Sequence, residues 1–540
     1  MSDLWYKNAV IYCVDVEKFM DANGDGIGDF QGLADRLDYL ERLGVNCLWL
    51  NPFFPSPNRD NGYDVCDYYG IDPRHGTLGD FVEFMHAAED RGMRVIIDLV
   101  VNHTSIEHPW FQAARSSADS PFRHWYVWRD TKPEDAEDGI IFPGVQKSTW
   151  TYDRKAGAWY HHRFYAHQAD LNATNPEVQA EILKIMGFWL ALGVSGFRVD
   201  AVPFLVLDKE SDVPREDFTL LTKMHDFLAW RRAGAVLLAE ASITYDATED
   251  YFHGGDRMSM VFDFLLNQHL MLAFARESAA PLRQVLQRRP LPGGTGQWAN
   301  FLRSHDELSL ERLSQQEMQE CFAAFGPRPE HQIYERGLRR RLAGMFDGDQ
   351  AKLRLAYSLL LAMPGTPVLW FGEEIGLGEN LDLPEREAVR TPMQWDDNRH
   401  GGFSRLRGAV EGLPVPNGKF GYRAVNVADQ VRRPDSLMQA ICAMIGTRRA
   451  APEIGWGETA IVDVGDDDVL VLASSWRDGR VVTLHNFTGA TKSIMLDHDD
   501  TGRYLPMLSN MGALEPFPAS QPVELSPYGY CWLRCDRERR

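Results

Sequence analysis

The sequence predicts an α/β fold: a (β/α)8 TIM barrel with a subdomain inserted after the third strand, a helical insertion after the seventh strand and a C-terminal antiparallel β domain. Three observations predict it. Short β-rich runs alternate with amphipathic helices along most of the chain, which is the pattern of a parallel α/β protein. Four of these runs end in acidic, imidazole or guanidinium side chains. From about residue 452 the pattern changes to alternating strands with Gly, Asp and Pro turns.

Hydrophobic periodicity assigns the barrel elements one by one. The helix over 29–43 carries its large apolar residues on one face, and the helix over 77–92 begins at a threonine and ends at a glycine. Two further helices are predicted over 175–192 and 350–363. The eight strands are predicted over 10–16, 47–53, 94–101, 196–202, 235–241, 258–264, 297–303 and 367–372.

Two stretches between these elements are too long for ordinary loops. Residues 104–171 are rich in Trp, His, Asp and Pro and lack helical periodicity, which indicates an inserted subdomain above the strand ends. Residues 307–349 are charged and helix-prone, which predicts a second cap beside the site. The chain then divides into a first part of the barrel (1–103), the inserted subdomain, a second part of the barrel (172–451) and a C-terminal β-sandwich domain (452–540).

Composition limits the function classes. The 540 residues carry a net charge of −21, spread along the chain, which argues against nucleic acid or an anionic membrane as a partner. Seven cysteines are an odd number without metal-type clustering, and we expect them to be reduced thiols. The N-terminus lacks a basic-then-apolar signal, and no apolar run reaches the length of a membrane span. We therefore expect a cytoplasmic enzyme.

Chemistry-bearing residues lie at the ends of four predicted strands. In a parallel barrel all strand ends open on one face, so residues far apart in sequence should converge there. Cleavage of a sugar acetal with retention of configuration needs a nucleophilic carboxylate and a proton donor roughly 5 Å apart. We expect Asp200 and Glu240 to be this pair. The four segments are Asp98-Leu-Val-Val-Asn-His103, Gly196-Phe-Arg-Val-Asp200, Leu237-Leu-Ala-Glu240 and Phe301-Leu-Arg-Ser-His-Asp306.

A metal site is predicted in the first βα connection. Oxygen-bearing side chains alternate around glycines in this loop, as in loops that wrap a hard cation, so we expect structural Ca2+ or Mg2+ and no organic cofactor. The alternative is an Asx-rich turn without metal. The expected ligands are the side chains of Asp21, Asn23, Asp25 and Asp29 and the carbonyl of Ile27.

Taken together, these segments and Gln168-Ala-Asp-Leu-Asn172 resemble the α-amylase family, glycoside hydrolase family 13, across nearly the full chain. Within that family the chain is most similar to the trehalose synthases. The motifs that carry this narrower resemblance are Trp5-Tyr-Lys, Asn23-Gly-Asp-Gly-Ile-Gly-Asp-Phe30, His108-Pro-Trp-Phe111, Arg336-Gly-Leu-Arg-Arg-Arg-Leu342 and Val389-Arg-Thr-Pro-Met-Gln-Trp395.

The resemblance implies a role for each matching residue. Asp200 would attack the anomeric carbon to form a glucosyl enzyme, while Glu240 would protonate the leaving oxygen and then activate the acceptor. Asp306 would bind the hydroxyls at C2 and C3 of the sugar, and His103 and His305 would bind neighbouring hydroxyls.

Two further residues of these strands are expected to support the carboxyl groups. Arg198 lies two residues before Asp200 on one strand, so it points to the same face and can hold that carboxylate ionised. Asp98, at the base of its strand, is expected to order its neighbours rather than to touch sugar.

The resemblance also implies a pocket closed at one end. Asp60 would bind the C4 hydroxyl of the non-reducing sugar, Tyr63 would stack on its ring, and Arg390 would pair with Asp60. A closed end favours short α-glucosides over starch. Phe164 would stand at the wall between the donor and acceptor subsites.

A second calcium ion of the family would use Asn102 and Asp170. The sequence departs from the family there, because Leu207 stands where an acid is expected.

The activity expected from the resemblance is interconversion of maltose and trehalose by intramolecular glucosyl transfer. A plain α-glucosidase is the alternative, because residues 241–245 after Glu240 depart from the trehalose synthase pattern beside the acceptor subsite. A non-catalytic binding subunit is a third reading, and the presence of both Asp200 and Glu240 speaks against it. The sequence leaves the oligomeric state open, with a homo-oligomer as one alternative.

Overall fold

The structure, a computed structural model, describes residues 4–211, 215–410, 418–496, 502–512 and 514–536. It confirms the barrel: eight parallel strands close in the order β1-β8-β7-β6-β5-β4-β3-β2. The strands are β1 (Ile11–Val14), β2 (Cys47–Leu50), β3 (Arg94–Leu99), β4 (Gly196–Val199), β5 (Val236–Ala239), β6 (Met260–Phe262), β7 (Gln297–Phe301) and β8 (Thr366–Trp370).

The barrel strands are shorter than the sequence predicts, mainly at their carboxyl ends. Residues 100–101, for example, were expected to extend β3, which ends at Leu99. The strands are buried along their length because helices cover the outside and side chains fill the inside. The apolar sequence of a strand therefore continues beyond its last backbone hydrogen bond to the neighbouring strands, where the chain turns toward the site.

The helix predicted over 29–43 is two helices, Phe30–Asp35 and Leu37–Leu43, separated by a non-helical Arg36. The first half packs on the helix Leu78–Asp90, and the second half packs on the helix Leu437–Arg449. One apolar stripe thus serves two different partners, and the chain changes direction between them.

Most other helices follow the sequence signals, including a capping box in which Thr77 and Asp80 bond each other's backbone N–H. Over the described residues none of them combines the length and the apolar composition needed to cross a bilayer. The further helices of the barrel region are Val16–Phe19, Pro176–Ala191, Val202–Leu205, Thr219–Arg231, Thr248–Phe252, Phe264–Arg276, Ala280–Arg288, Gln350–Ala362, Val427–Arg432 and Pro452–Trp456.

The insertion after β3 is built from short β elements and one helix, Pro109–Ser116. Its base is an antiparallel pair, His103–Ser105 with Gln168–Asp170. Its outer part is a three-stranded sheet in which Ala158–His161 is central between Trp128–Arg129 and Trp150–Asp153.

The insertion after β7 is only partly helical. It contains the helix Gln315–Phe325 and a short turn of helix at Leu342–Met345. Between and before them lie three two-residue strands, Leu308–Ser309, Gln332–Ile333 and Gly337–Leu338, which pair as a small antiparallel sheet. Pairing of these strands, rather than one long helix, brings the charged segment back over the barrel.

The C-terminal region forms a six-stranded antiparallel sheet and a separate two-stranded sheet. Its own apolar cluster includes Val469, Val471, Leu484 and Leu533, separate from the main core in and around the barrel. The strands are, in sheet order, Glu458–Ile461, Val469–Trp476, Gly479–Asn486, Tyr530–Asp536, Arg503–Ser509 and Phe517–Pro518, and then Lys492–Ile494 with Val523–Leu525.

Candidate active site

The carboxyl ends of the barrel strands surround a cavity of about 560 Å³, a size typical of small-molecule sites. Both insertions contribute to its walls. Arg390, which was expected to contact it, is buried behind the wall. The other residues predicted to contact sugar line the cavity: Asp60, Tyr63, His103, Phe164, Arg198, Asp200, Glu240, His305 and Asp306.

Arg198 holds both carboxyl groups that the sequence proposes for chemistry. Its Nη1 is 2.8 Å from Asp200 Oδ1, and its Nη2 is 2.9 Å from Glu240 Oε2. The register of β4 and β5 aligns Val199 with Ala239, which sets Asp200 beside Glu240 one residue further on. Because the terminal nitrogens of a guanidinium form a rigid fork, the two carboxyl groups lie side by side.

Asp98 lies beneath this pair and is fully buried. Its Oδ1 is 2.5 Å from Arg198 Nη1, and its Oδ2 accepts a hydrogen bond of 3.0 Å from Trp49 Nε1. The carboxylate thus fixes the guanidinium from below, and its place agrees with the expected ordering role.

Burial governs the protonation of the carboxyl groups. Desolvation raises the pKa of Asp200 to about 6, against the opposing charge of Arg198. Desolvation also raises the pKa of Glu240; Arg198 opposes this, and the charge of Asp200 adds to it. Two neighbouring carboxyl groups with raised pKa values can divide the roles of carboxylate and acid near neutral pH.

The turn after β4 carries backbone strain at Ala201, whose φ of 51° is in the left-handed region. In this conformation the N–H of Ala201 donates to Glu240 Oε2 at 3.0 Å. A larger or β-branched side chain would be disfavoured at such a φ. The strained turn therefore links the residue after Asp200 to the second carboxyl group.

Asp306, His305 and Tyr63 form one hydrogen-bonded group. His305 Nε2 is 3.0 Å from Asp306 Oδ2 and 2.7 Å from the Tyr63 hydroxyl. The rings of Tyr63 and His305 stack with centroids 5.4 Å apart and planes within 7°. Burial would raise the pKa of Asp306, but His305 and the nearby arginines hold it well below its usual range. Asp306 is therefore a fixed negative charge facing the cavity.

Arg386, which no sequence motif pointed to, links two predicted site residues at the cavity wall. Its Nη2 is 2.8 Å from Asp60 Oδ1, and its Nη1 is 2.7 Å from Asp306 Oδ1. Arg390 was expected to be the partner of Asp60; its Nη1 is 3.7 Å away, whereas its Nη2 is 3.0 Å from Asp306 and its Nε donates to the His305 carbonyl. Arg390 thus buttresses Asp306, and Arg386 makes the shorter bridge.

A tight turn presents Asp60 and Tyr63 to the cavity. The Tyr63 N–H donates to the Asp60 carbonyl at 2.9 Å, and the two residues between, Asn61 and Gly62, have φ values of 48° and 88°. Asn-Gly is the pair that tolerates two successive positive φ angles. A Cβ at position 62 would also lie 2.7 Å from the Pro52 carbonyl oxygen.

The inserted subdomain supplies the remaining wall. Gln168 Nε2 donates to Asp60 Oδ2 at 3.0 Å, so the carboxylate is held from two sides. His103 Nε2 is 3.0 Å from the Tyr63 carbonyl oxygen, and Phe164 packs edge-on against the His103 ring. These contacts bring the predicted aromatic and imidazole to one side of the cavity.

Lys209 occupies the position at which a second metal ion was expected. Its ammonium nitrogen is 2.9 Å from Asp170 Oδ2 and 2.7 Å from Asn102 Oδ1, and it also reaches the carbonyls of Asn102 and Leu171. Burial would raise the pKa of Asp170, but Lys209 and His161 keep it well below its usual range. A cation could bind Asn102 and Asp170 only by displacing this buried ammonium, which argues against the second metal expected there.

The first predicted metal loop offers oxygen atoms but holds them in its own hydrogen bonds. Asp21 accepts from the N–H groups of Gly24 and Gly26, and Asp29 accepts from those of Ala22 and Asn23. Among the described residues no group of three or more His, Cys, Asp or Glu side chains is arranged around a metal position. No ion pair to Asp21, Asp25 or Asp29 occurs within the described part of the chain either, so their charges lack a protein cation.

Several cavity residues were missed because no local pattern marks them. Arg386 lies four residues before Arg390 in the same segment. This proximity to a predicted site residue was the sequence feature that could have identified Arg386. Glu307 follows Asp306 directly, lines the cavity and is 3.5 Å from Arg336 Nη2. Phe142, in the inserted subdomain, also lines the cavity.

Comparison with known proteins agrees with this geometry. A family model described as "Alpha amylase, catalytic domain" matches residues 14–457. The trehalose synthase of Thermus thermophilus is 41% identical over 98% of the chain, which spans only 55% of that relative. The trehalose synthase/amylase TreS of Mycolicibacterium smegmatis is 42% identical over 98% of the chain and 92% of the relative.

Among solved structures, the trehalulose synthase MutB of Pseudomonas mesoacidophila MX-45 superposes with a TM-score of 0.79. The two chains are 26% identical, and the match covers 98% of this chain and 99% of the other. The similarity therefore includes the barrel, both insertions and the C-terminal sheet.

Proposed function

Because the chain belongs to the α-amylase family and is an enzyme acting on α-glucosides, we propose that it interconverts maltose and trehalose by intramolecular glucosyl transfer. The proposed intermediate is a glucosyl group bound to Asp200. Relatives named trehalose synthase, about 40% identical over almost the whole chain, support the choice of reaction.

In the proposed reaction Asp200 Oδ attacks the anomeric carbon of the donor glucose, and the bond to the bridging oxygen breaks. Glu240 gives its proton to that oxygen, so free glucose is produced in the acceptor subsite. In the second step Glu240 takes a proton from the anomeric hydroxyl of this glucose, which attacks the glucosyl carbon and releases Asp200. The product is trehalose, and no net proton is gained or lost.

The arrangement on Arg198 supports retention of configuration. Retaining enzymes hold their two carboxyl groups roughly 5 Å apart, whereas inverting ones need about 6.5–9.5 Å to admit a water between them, and sharing one guanidinium favours the shorter separation. Asp200 and Glu240 bond to adjacent nitrogens of Arg198 at 2.8 and 2.9 Å.

The closed end supports a small substrate. Arg386 bridges Asp60 and Asp306 at the cavity wall. In the proposed complex this bridge stops a sugar chain from continuing past the non-reducing glucose. In the proposed complex Asp60 binds the C4 hydroxyl, Tyr63 stacks on the ring, and Asp306, His103 and His305 bind the remaining hydroxyls. A disaccharide such as maltose fills one donor and one acceptor position.

The observation that favours isomerisation over hydrolysis is that both insertions contribute to the cover of the cavity. We call this cover the roof. Residues of both insertions, including Phe142, Phe164 and Arg336, line the same cavity as the two catalytic carboxyl groups. A roof that keeps glucose in and water out lets the glucosyl enzyme react with the retained sugar. An α-glucosidase is the second candidate, favoured by the departure of residues 241–245 from the trehalose synthase pattern. Ser242 in this segment lines the cavity, and its hydroxyl donates to Glu311 at 2.9 Å.

We also propose that the loop from Asp21 to Asp29 binds one Ca2+ or Mg2+ through Asp21, Asn23, Asp25, Asp29 and the Ile27 carbonyl. Its donor set is entirely oxygen, which suits a hard cation. The three carboxylates have no cationic partner in the described part of the chain, and the charge of Asp21 adds to burial in raising the pKa of Asp29. The ion would stabilise the first βα unit and take no part in the chemistry.

The decisive experiment is incubation of the purified protein with maltose, with trehalose and glucose quantified over time. Trehalose as the main product, with little label from added [13C]glucose, would support intramolecular transfer. Glucose as the sole product would replace this proposal with the α-glucosidase. Loss of both products in Asp200→Asn would tie the activity to this site.

A further inference from the structure

One carboxylate joins the two insertions above the cavity. Glu385 Oε2 accepts a hydrogen bond of 2.6 Å from the Tyr165 hydroxyl and another of 2.6 Å from the Tyr334 hydroxyl. Tyr165 belongs to the insertion after β3, Tyr334 to the insertion after β7, and Glu385 to the segment after β8. We call these three residues the Glu385 latch.

Aromatic packing supports the latch from the cavity side. The ring of Phe142 lies 4.6 Å from that of Tyr165 and 4.8 Å from that of Tyr334, measured between centroids. The guanidinium of Arg386 lies 5.0 Å above the same Phe142 ring. The latch is thus continuous with the roof and with the closed end of the cavity.

The latch is also adjacent in sequence to Arg386, the arginine at the donor end of the pocket. Glu385 directly precedes Arg386, whose guanidinium bridges Asp60 and Asp306. Fixing the Glu385 carboxylate on both insertions fixes the start of the turn Glu385–Val389 from which Arg386 projects. Docking of the roof and closure of the donor subsite therefore depend on the same short segment.

Backbone strain is concentrated at this junction. Glu385, Tyr334 and Glu335 have φ values of 40°, 53° and 61°, which non-glycine residues rarely adopt. Such conformations persist where surrounding contacts hold them. The latch bonds are the contacts that hold two of these residues, so their loss would let both segments relax.

We propose that Tyr165, Tyr334 and Glu385 are specificity-determining positioning residues that keep the roof docked during the lifetime of the glucosyl enzyme. They hold the released glucose in and bulk water out, and so set the ratio of transfer to hydrolysis. This inference rests on the proposed function. It extends that function by assigning the partition between the two outcomes to three residues that touch neither sugar nor the reacting atoms.

The test uses Tyr165→Phe, Tyr334→Phe and Glu385→Gln in the full chain, each isosteric and each removing one element of the latch. With maltose as substrate, the trehalose-to-glucose ratio should fall about threefold to tenfold in each variant, as expected for the net loss of one hydrogen bond. Incorporation of added [13C]glucose into trehalose should rise in parallel. Tyr165→Phe should have a smaller effect in the Glu385→Gln background than alone, because both changes act through one carboxylate.

Tyr69→Phe is the matched control, because the Tyr69 hydroxyl also donates to a glutamate, Glu181, at 2.7 Å but outside the cavity. Its product ratio should equal that of the parent. An unchanged ratio and unchanged label incorporation in folded latch variants would overturn the inference while leaving the proposed function intact.

Hydrogen–deuterium exchange provides a readout that does not depend on the reaction. Peptides from 104–171 and 307–349 should exchange faster in the latch variants than in the parent and in Tyr69→Phe. If the parent made only glucose, the proposed function would fail, and exchange would still decide whether the latch holds the roof. Equal exchange in all proteins would overturn the latch.

Discussion

Asp60 and Arg386 are paired at 2.8 Å although 326 positions separate them in the chain. Asp60 stands on a tight turn after β2, and Arg386 projects from a turn after β8. Barrel closure makes β1, between them, the neighbour of both strands. The pair therefore forms at the cavity wall only in the completed barrel.

Arg386→Ala should open that end. The Michaelis constant for maltose should rise at least ~10-fold, because Asp60 and Asp306 lose the charge that fixes them, and short maltodextrins should become substrates. Steady-state kinetics with maltose and with maltoheptaose would measure both effects. Arg91→Ala, which removes an arginine paired with Asp38 outside the cavity, is the control and should behave as the parent. A closed-end role for Arg386 would be refuted by unchanged kinetics on both sugars.

Asp200→Asn and Glu240→Gln should each lower turnover at least ~10³-fold, through loss of the nucleophile and of proton transfer respectively. Turnover of maltose in folded protein is the measurement. Asp38→Asn is a suitable control, because this carboxylate is exposed and pairs with Arg91 at the surface. Near-normal activity in either catalytic variant would remove that residue from its role.

Activity should fall on the acid side as Asp200 becomes protonated. Desolvation raises the pKa of this carboxyl to about 6, so the nucleophilic carboxylate is present above that pH and is lost as the pH falls through it. Asp98 titrates nearby, also with a pKa raised by burial to about 6, so the observed value belongs to the coupled group. A profile of kcat/KM against pH should bend near 6; a flat profile down to about pH 4, the range of an unperturbed carboxyl, would contradict the shift.

Lys209→Met should strongly destabilise the protein. The ammonium is buried between Asn102 and Asp170, and its removal leaves the buried Asp170 carboxylate without its lysine partner, at a cost of about 3–5 kcal/mol of unfolding free energy. Denaturant unfolding would measure the change. Lys184→Met is the control, because that lysine pairs with Glu181 at the surface, and its unfolding midpoint should be unchanged. Equal stability of the two variants would show that the buried charge pair is dispensable.

A chelator should lower the melting temperature if the loop Asp21–Asp29 binds a divalent ion, by mass-action linkage. Asp25→Asn, which alters an exposed ligand and leaves the bonds of Asp21 and Asp29 in place, should reduce the response to the chelator. Metal analysis of untreated protein is the direct measurement. Absence of calcium and magnesium from that protein would leave the loop as an Asx-rich turn held by its own hydrogen bonds.

The sequence predicts the barrel and most of the site because both depend on local patterns. Apolar runs of strand length end in polar residues such as Asp200 and Glu240, and a parallel barrel brings all such ends to one face. The sequence predicts helix boundaries less well where one apolar stripe packs on two different helices. The stripe over 29–43 is continuous, yet it divides at Arg36 because its halves pack on different helices.

Local sequence patterns alone establish the fold class, the family resemblance and the set of carboxyl groups at the strand ends. The tertiary structure alone decided that Arg386 rather than Arg390 makes the shorter bridge to Asp60, that Lys209 stands where a second metal was expected, and that Glu385 joins two insertions. The reason is physical. Strand and helix propensities act between neighbours in sequence, whereas a charge pair or a shared carboxylate depends on side chains that become neighbours only when distant segments pack.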